Sequence, residues 1–353
     1  MVEPTAAAGS GHPVPSRDYP TDLAQLRAWF SSDAACLDYL DWLRWPEGFV
    51  CPHCFSPRAS WDGGRYRCLG STRRVSITAG TLFDKTRTPL TVWFEAAWLM
   101  AADKGGVSAA HLHRVLPISS YQTAWTMLGK FRSVMGSEGS RPLAGTVEVD
   151  ETIIGGPRPG VTGRGALDKT LVAGAIEITG GGWGRARLRV ITDASAEALH
   201  KFVTAIIAPG STVITDAWTS YPKALKGNYD HQRLNISASG KPAHESLPAV
   251  HRLFALAKRT LDGTYQGVGT TEHLQEYLDE FVFRFNRRHS HHRGLVFMRL
   301  LQRAIAGQRT TYRDLVRTPK PKTIPPRGLT GPRTQPGSLE AVALIRPWRP
   351  QQD

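Results

Sequence analysis

The sequence predicts an α/β core in its second half, preceded by a small cysteine-bearing module and a helical region. Three observations carry that reading. First, "GTVEVDETIIGG", "TLVAGAIEIT", "ARLRVITDA" and "STVITDAW", beginning near residue 144, alternate apolar positions as strands do. Second, "SAEALHKFVTAII" and two later runs, near 247–262 and 271–288, carry apolar residues at helical spacing. A sheet of about five strands with helices laid on it is an α/β core. Third, a C-x-x-C pair at Cys51 and Cys54 opens a short aromatic- and glycine-containing stretch suited to small hairpins.

In chain order, residues 1–20 lack a basic stretch followed by an apolar core, so they predict a disordered leader rather than a secretory signal. Residues 21–46 have helical apolar spacing, and 47–82 form the cysteine-bearing module. Residues 88–137 predict three helices, broken at Gly105-Gly106 and at Pro117 to Ser120. The last two suit a helix-turn-helix, with Ser120 capping a helix from Tyr121 to Arg132. The α/β domain is placed at 144–293, and a basic, proline-rich tail at 294–353.

The chain has 353 residues, with 44 basic and 30 acidic side chains for a net charge of +14. That excess favours a polyanionic partner, nucleic acid first. No apolar run reaches the roughly 18 residues that a membrane span needs. The best, "VWFEAAWLMAA", is interrupted by Glu95. Four cysteines, two of them in C-x-x-C, suit a reducing cytoplasm better than a disulfide scaffold.

Asp150 closes the "GTVEVD" strand and Asp216 closes "TVITD". A carboxylate at the end of a buried strand needs a partner or a metal, unless it merely caps the next turn. Two such strands in one sheet favour the metal. In "PAVHRLFALAKR", Val250, Leu253, Phe254, Ala257 and Leu261 form an apolar stripe. His251 and Lys258 fall together on one flank of it, at about 100° per residue. Geometry alone leaves a solvated flank and a reactive pair equally open. Glu151 follows Asp150 and points to the opposite face of the strand.

"VEVDETIIGG", "VITDAWTSY" and "AKRTLDGTYQGVGTTEHLQEYLDEFVFRFNRR" resemble the insertion-sequence transposases of the ISXO-like group. "FVCPHC" and "SITAGTLFDKTRTPLTVWFEAAWLM" extend the resemblance over about residues 20–300. It implies a zinc-ribbon-like module, then a DDE catalytic domain of RNase H-like fold with a mixed sheet and flanking helices. Asp150 and Asp216 become the first two metal-binding carboxylates. Aligning on Lys258 places the family's usual glutamate at His251 and its asparagine at Pro248, a departure at both positions. Imidazole suits Mn²⁺ or Zn²⁺ better than Mg²⁺. The implied activity is cutting of element ends and joining of the 3′-OH to target DNA with Mg²⁺ or Mn²⁺. Lys258 would reach a phosphate beside the cleaved bond. Double-stranded DNA is the implied partner, through terminal inverted repeats and target, with a homo-oligomer on paired ends in the cytoplasm at the nucleoid. Two rivals stand beside it: a catalytically degenerate DNA-binding remnant, and a nuclease of the same fold without strand transfer.

The ribbon departs from its pattern too. Cys51, Cys54 and Cys68 supply three ligands, but Ser71 stands where a fourth cysteine is expected. A structural zinc site normally closes with four. A three-cysteine site with water, a weak site, and a metal-free ribbon packed by Trp61 and Tyr66 remain open, with zinc expected weakly or not at all. His53 is poorly placed to join, and Cys36 reads as helix core. Expected DNA contacts are Arg65, Arg67, Arg73 and Arg74 in the ribbon, and Lys130 and Arg132 in the last helix before the sheet. Arg287, Arg288 and Arg293 in "NRRHSHHRG" complete the set. The glycines of "GGPRPGVTGRGALDK" would also let backbone approach a phosphate.

Overall fold

The computed structural model describes residues 12–62, 64–136, 141–155, 170–180, 182–234, 246–266 and 271–316. These fall into two compact units, one within 12–103, 109–134 and 290–316, the other within 104–108 and 135–289.

In the first unit, the 21–46 stretch is two helices, α1 (Leu23–Trp29) and α2 (Asp33–Arg44). Side-chain caps divide them: Asp22 accepts the N–H of Gln25, and Ser32 accepts that of Ala35. A three-stranded antiparallel meander follows, of β1 (Ala59–Asp62), β2 (Arg65–Cys68) and β3 (Arg74–Ser76). Next come α3 (Leu90–Ala102), α4 (Ala109–Val115) and α5 (Tyr121–Met135). Ser120 accepts the N–H of Thr123 at 3.1 Å, the capping bond expected of it. The apolar run of α3 is explained by burial within the protein: nine of its residues are buried, and Glu95 pairs outward with Arg27. Among the described residues, no helix is long and apolar enough to cross a membrane.

Two terminal expectations are corrected. The tail does not begin at 294, because Arg293–Ala306 is a helix. Its Val296, Phe297, Leu300, Leu301 and Ala304 are buried, and the Phe297 ring lies among Phe30, Tyr39, Phe94 and Trp98. Basic residues interleaved with that stripe disguised it. Nor is the leader disordered throughout. From residue 12 it is placed, with Asp18 and Tyr19 each 2% exposed and Asp18 accepting the N–H of Val14. Gly294 admits the backbone here, since a β-carbon on it would meet the Pro20 carbonyl oxygen. Residues 1–11 and 317–353 lie outside the described residues, as does the glycine-rich 156–169 stretch.

The second unit holds a five-stranded sheet of β4 (Thr146–Ile154), β5 (Thr170–Thr179), β6 (Gly182–Val190), β7 (Thr212–Asp216) and β8 (Asp230–Leu234). Its spatial order is β6-β5-β4-β7-β8. The β6, β5 and β4 pairings are antiparallel, while β4, β7 and β8 run parallel. The fifth strand has a largely exposed, polar sequence at the sheet edge, so it carries no alternating signature. Helices α6 (Ala196–Ile206) and the short α7 (Tyr221–Ala224) cover one face, through Val147, Val149, Phe202 and Tyr221. On the other face lie α8 (Pro248–Tyr265) and α9 (Leu274–Phe285), through Val172, Ile176, Leu253, Phe254 and Leu278. The chain then returns to the first unit through α10 (Arg293–Ala306) and α11 (Tyr312–Val316).

Candidate active site

Strand β4 runs through the middle of the sheet, and its period of two puts Glu148, Asp150 and Thr152 on one face. Each touches α8. Glu148 Oε2 accepts the backbone N–H groups of Ala249 and Val250, both at 2.9 Å. The Asp150 carboxylate lies 3.4 Å from His251 Nε2. Thr152 Oγ1 accepts from Lys258 Nζ at 2.9 Å. The helix is thus held along the strand by three successive same-face side chains, and His251 and Lys258 are brought to it together.

Sequence reading missed Glu148. The first N–H groups of a helix have no partner within it, and Pro248 has no N–H at all. Leu247 at its N-cap makes no side-chain capping bond, and a carboxylate 101 positions earlier in the chain accepts instead. Glu148 is 6% exposed, and burial pushes its carboxyl above the usual range while the two N–H donors pull it back. The available signal was its place two residues before Asp150, where an acidic side chain faces the core and must find donors.

A close approach fixes the helix over the site. Gly174 is the cross-strand partner of Asp150. A β-carbon there would stand 2.4 Å from Cε1 of Phe254, so only glycine leaves room for that ring.

Asp216 ends β7, the parallel neighbour of β4. The register Val147↔Val213 and Glu148↔Ile214, continued by two residues, sets Asp216 level with Asp150. Its Oδ1 accepts the N–H of Trp218 at 3.0 Å. Both carboxylates reach the neighbourhood of Tyr221: burial first, then the charges of Glu151, Asp150 and Asp216, push this phenol well above its ordinary range. Glu151 turns to the opposite face, where its Oε2 accepts from Tyr221 Oη at 2.7 Å. That bond ties the strand bearing Asp150 to the turn after Asp216.

Burial and Asp262 act oppositely on Lys258, and burial dominates, leaving its ammonium below the ordinary lysine range. His251 keeps 30% of its side chain exposed beside the better buried Asp150.

Among the described residues, the group of three metal-ligating side chains whose donor atoms all lie within 4.8 Å is Cys51, Cys54 and Cys68. Ser71 completes the surround: its Oγ is 3.5 Å from Cys51 Sγ, and its N–H donates to Cys68 Sγ at 3.4 Å. The side chain of Ser71 and then its N–H bring the Cys68 thiol down to about 6. His53 turns away to Arg73, and Cys36 is helix core. The ribbon is packed by aromatic rings, with Tyr66 stacked on Phe49 and edge-on to Trp45 and Trp61.

The expected DNA contacts divide. Arg65, Arg67, Arg73 and Arg74 are exposed, with Arg67 and Arg74 cross-strand partners and Arg74 also paired to Asp62. Lys130 is half-buried over the Trp93 ring, and Arg293 is half-buried at the start of α10. Arg132 is corrected: at 3% exposure its guanidinium is not offered to a surface ligand, because that turn of α5 faces inward. Arg287 and Arg288 serve the end of α9, each lying over a phenylalanine ring, Phe283 and Phe285. Arg288 also donates to the carbonyls of Trp183, Gly184 and Phe285, so it clamps the helix end to β6.

Comparison with known proteins finds two domain matches. Residues 142–286 match the ISXO2-like transposase domain, and residues 31–69 match the transposase zinc-ribbon domain. An uncharacterised protein in transposable element ISH50 of Halobacterium salinarum is 27% identical over 141 residues, covering 38% of this chain and 45% of that relative. The chain thus carries, in sequence order, a stretch similar to a transposase zinc ribbon and a stretch similar to the ISXO2-like transposase domain.

Proposed function

We propose that this protein cuts the ends of an insertion element and joins the freed 3′-OH to target DNA, through Asp150, Asp216 and His251. The observation that carries the reading is the 3.4 Å approach of His251 to Asp150, which turns the imidazole toward a carboxylate midway along β4 and away from the core stripe of its helix. The sheet order, third-second-first-fourth-fifth in the sequence of its strands, supports an RNase H-like fold for the unit.

Two carboxylates and an imidazole are a donor set for Mn²⁺, or for Mg²⁺ with fewer oxygen ligands than it prefers. Asp150, Asp216 and His251 would hold the ions, which when bound supply activation of the attacking hydroxyl and stabilisation of the leaving oxygen. Lys258 exchanges Thr152 for a phosphate oxygen and holds the strand as a point charge. Glu148 keeps α8 seated, and the Glu151–Tyr221 bond holds the two carboxylate-bearing segments together. The ribbon takes zinc weakly through three cysteines. Element ends and target are the DNA partners, with a homo-oligomer pairing the ends at the nucleoid.

The test is cleavage and joining on oligonucleotides carrying the element ends, in Mg²⁺ and in Mn²⁺, with wild type, Asp150→Asn and His251→Ala. Loss of joining in both variants assigns His251 to the site. Activity retained by His251→Ala removes it. Cleavage without joining by the wild type favours a nuclease, and end binding with neither reaction favours a DNA-binding remnant.

A further inference from the structure

Away from the carboxylates, the first unit holds a groove of about 360 Å³ between the 84–88 loop, one face of α5 and the 309–312 segment. That volume is at the small end of ligand-sized pockets, about 300–1,000 Å³, but its lining differs from theirs. Lys85, Arg87, Lys130 and Arg309 surround it, with Asp84 as the single carboxylate, paired to Arg309 at 3.3 Å. Between the cations stand hydroxyls, those of Thr123 and Thr126 from α5 and of Thr310 and Thr311 from the opposite wall. Lys85, Arg87 and Arg309 are exposed on the rim, and Lys130 lies half-buried at 5.6 Å from the centre of the Trp93 ring.

Four cations gathered on one groove match an anion with several acceptor oxygens, while the threonine hydroxyls between them donate within the protein, Thr126 to the Gln122 carbonyl and Thr311 to Asp314. Burial, then the charge of Arg309, lowers Lys130 from its ordinary value, with Asp84 acting the other way. Lys85 also holds a left-handed backbone, φ 55°, that side chains with a β-carbon rarely adopt. Along α5 the lining runs from Gln122 to Lys130, about 12 Å at 1.5 Å per residue, so the track is longer than one phosphate.

We infer that this groove seats backbone phosphates of duplex DNA, fixing the register of α5 on the duplex and leaving strand chemistry to the second unit. The inference rests on the transposase reading and adds to it a place where sequence-independent affinity arises. It also assigns Lys85, Arg87 and Arg309, which lie outside the basic clusters evident in the sequence.

The test is fluorescence anisotropy of the full chain with a labelled duplex of arbitrary sequence, over a series of salt concentrations. Wild type is compared with Lys85→Gln/Arg87→Gln, with Lys130→Met, which keeps the packing on Trp93, and with Lys201→Gln, an exposed charge control on α6. Removing one phosphate-neutralising cation lowers the slope of log affinity against log salt by about 0.9. The double variant should therefore lose a slope of about 1.8, and Lys130→Met about 0.9, while Lys201→Gln keeps the wild-type slope. Equal slopes for wild type and both groove variants overturn the groove while leaving the transposase reading intact. An equal loss in the control overturns it as well, since net charge alone would then explain the change. A wild type that neither binds the duplex nor processes element ends overturns the transposase reading, and this inference with it.

Discussion

The carboxylate of Glu148 accepts the backbone N–H of Val250 at 2.9 Å, across 102 positions of sequence. One residue later on the same helix is His251, so the cap and the proposed ligand are placed together. Glu148→Ala should cost about 2–3 kcal/mol of stability, because two N–H groups lose a charged acceptor inside the fold. Glu148→Gln, which keeps an acceptor, should recover part of the stability and part of the joining activity. Urea unfolding and the joining assay, run on both variants, check this; an alanine variant of wild-type stability would refute the cap.

With His251 as the proposed third ligand, the choice of metal should depend on it. His251→Glu replaces nitrogen with oxygen and restores the ligand type that the sequence resemblance leads one to expect. The ratio of Mn²⁺- to Mg²⁺-supported joining should therefore fall in His251→Glu relative to wild type. An unchanged ratio would mean that the side chain does not touch the ions.

Lys258 titrates early. Burial lowers its ammonium from the ordinary lysine value, so a phosphate taken up by Lys258, as proposed, would be held at neutral pH and released as pH rises through that lowered value. The alkaline limb of kcat/KM should lie below the pH of a free lysine and move upward in Lys258→Arg, whose guanidinium stays charged. Lys258→Ala should lower joining about 10²–10³-fold at neutral pH. A limb that does not move in the arginine variant assigns it to another group.

Gly174 is required by a ring, and its own conformation does not demand glycine. Gly174→Ala should destabilise by about 1–3 kcal/mol through overpacking against Phe254. Adding Phe254→Leu should return part of that loss, which thermal unfolding of the single and double variants measures. Additive losses in the double variant would contradict the contact.

For the ribbon, Ser71→Cys supplies the missing thiolate beside three sulfurs already gathered within 4.8 Å. The variant should retain one zinc per chain through dialysis against a chelator that strips the wild type, as metal analysis would show. Equal retention by both chains would show that the serine does not limit the site.

Much of the second unit was legible because β7 alternates, β4 and β5 are apolar runs of strand length, and α6, α8 and α9 carry strong stripes. Asp216 stood out as the acidic end of its strand, whereas Asp150, read as a strand end, lies midway along β4, whose ladder continues to Ile154. What escaped was non-local: Glu148 meets Val250, and Gly174 meets Phe254, through pairings that no short window contains. Arg132 was misread for the converse reason, since charge suggests a surface and says nothing of the inward turn of α5. Helix α10 was hidden by arginines spaced through its stripe, and the β8 edge strand by its exposed polar residues.

The first unit is built from chain on both sides of the second, since Phe297 joins a ring cluster begun by Phe30, Tyr39 and Phe94. The ribosome makes those earlier rings long before it makes the phenylalanine that fills the space among them. During synthesis the sheet-bearing unit, continuous from 135 to 289, can therefore close first, while the part begun earliest waits for α10. A nascent chain halted before residue 293 would then carry a completed sheet and an exposed aromatic cleft. Interrupted translation should yield a species prone to aggregate, with none of the first unit's cooperative folding.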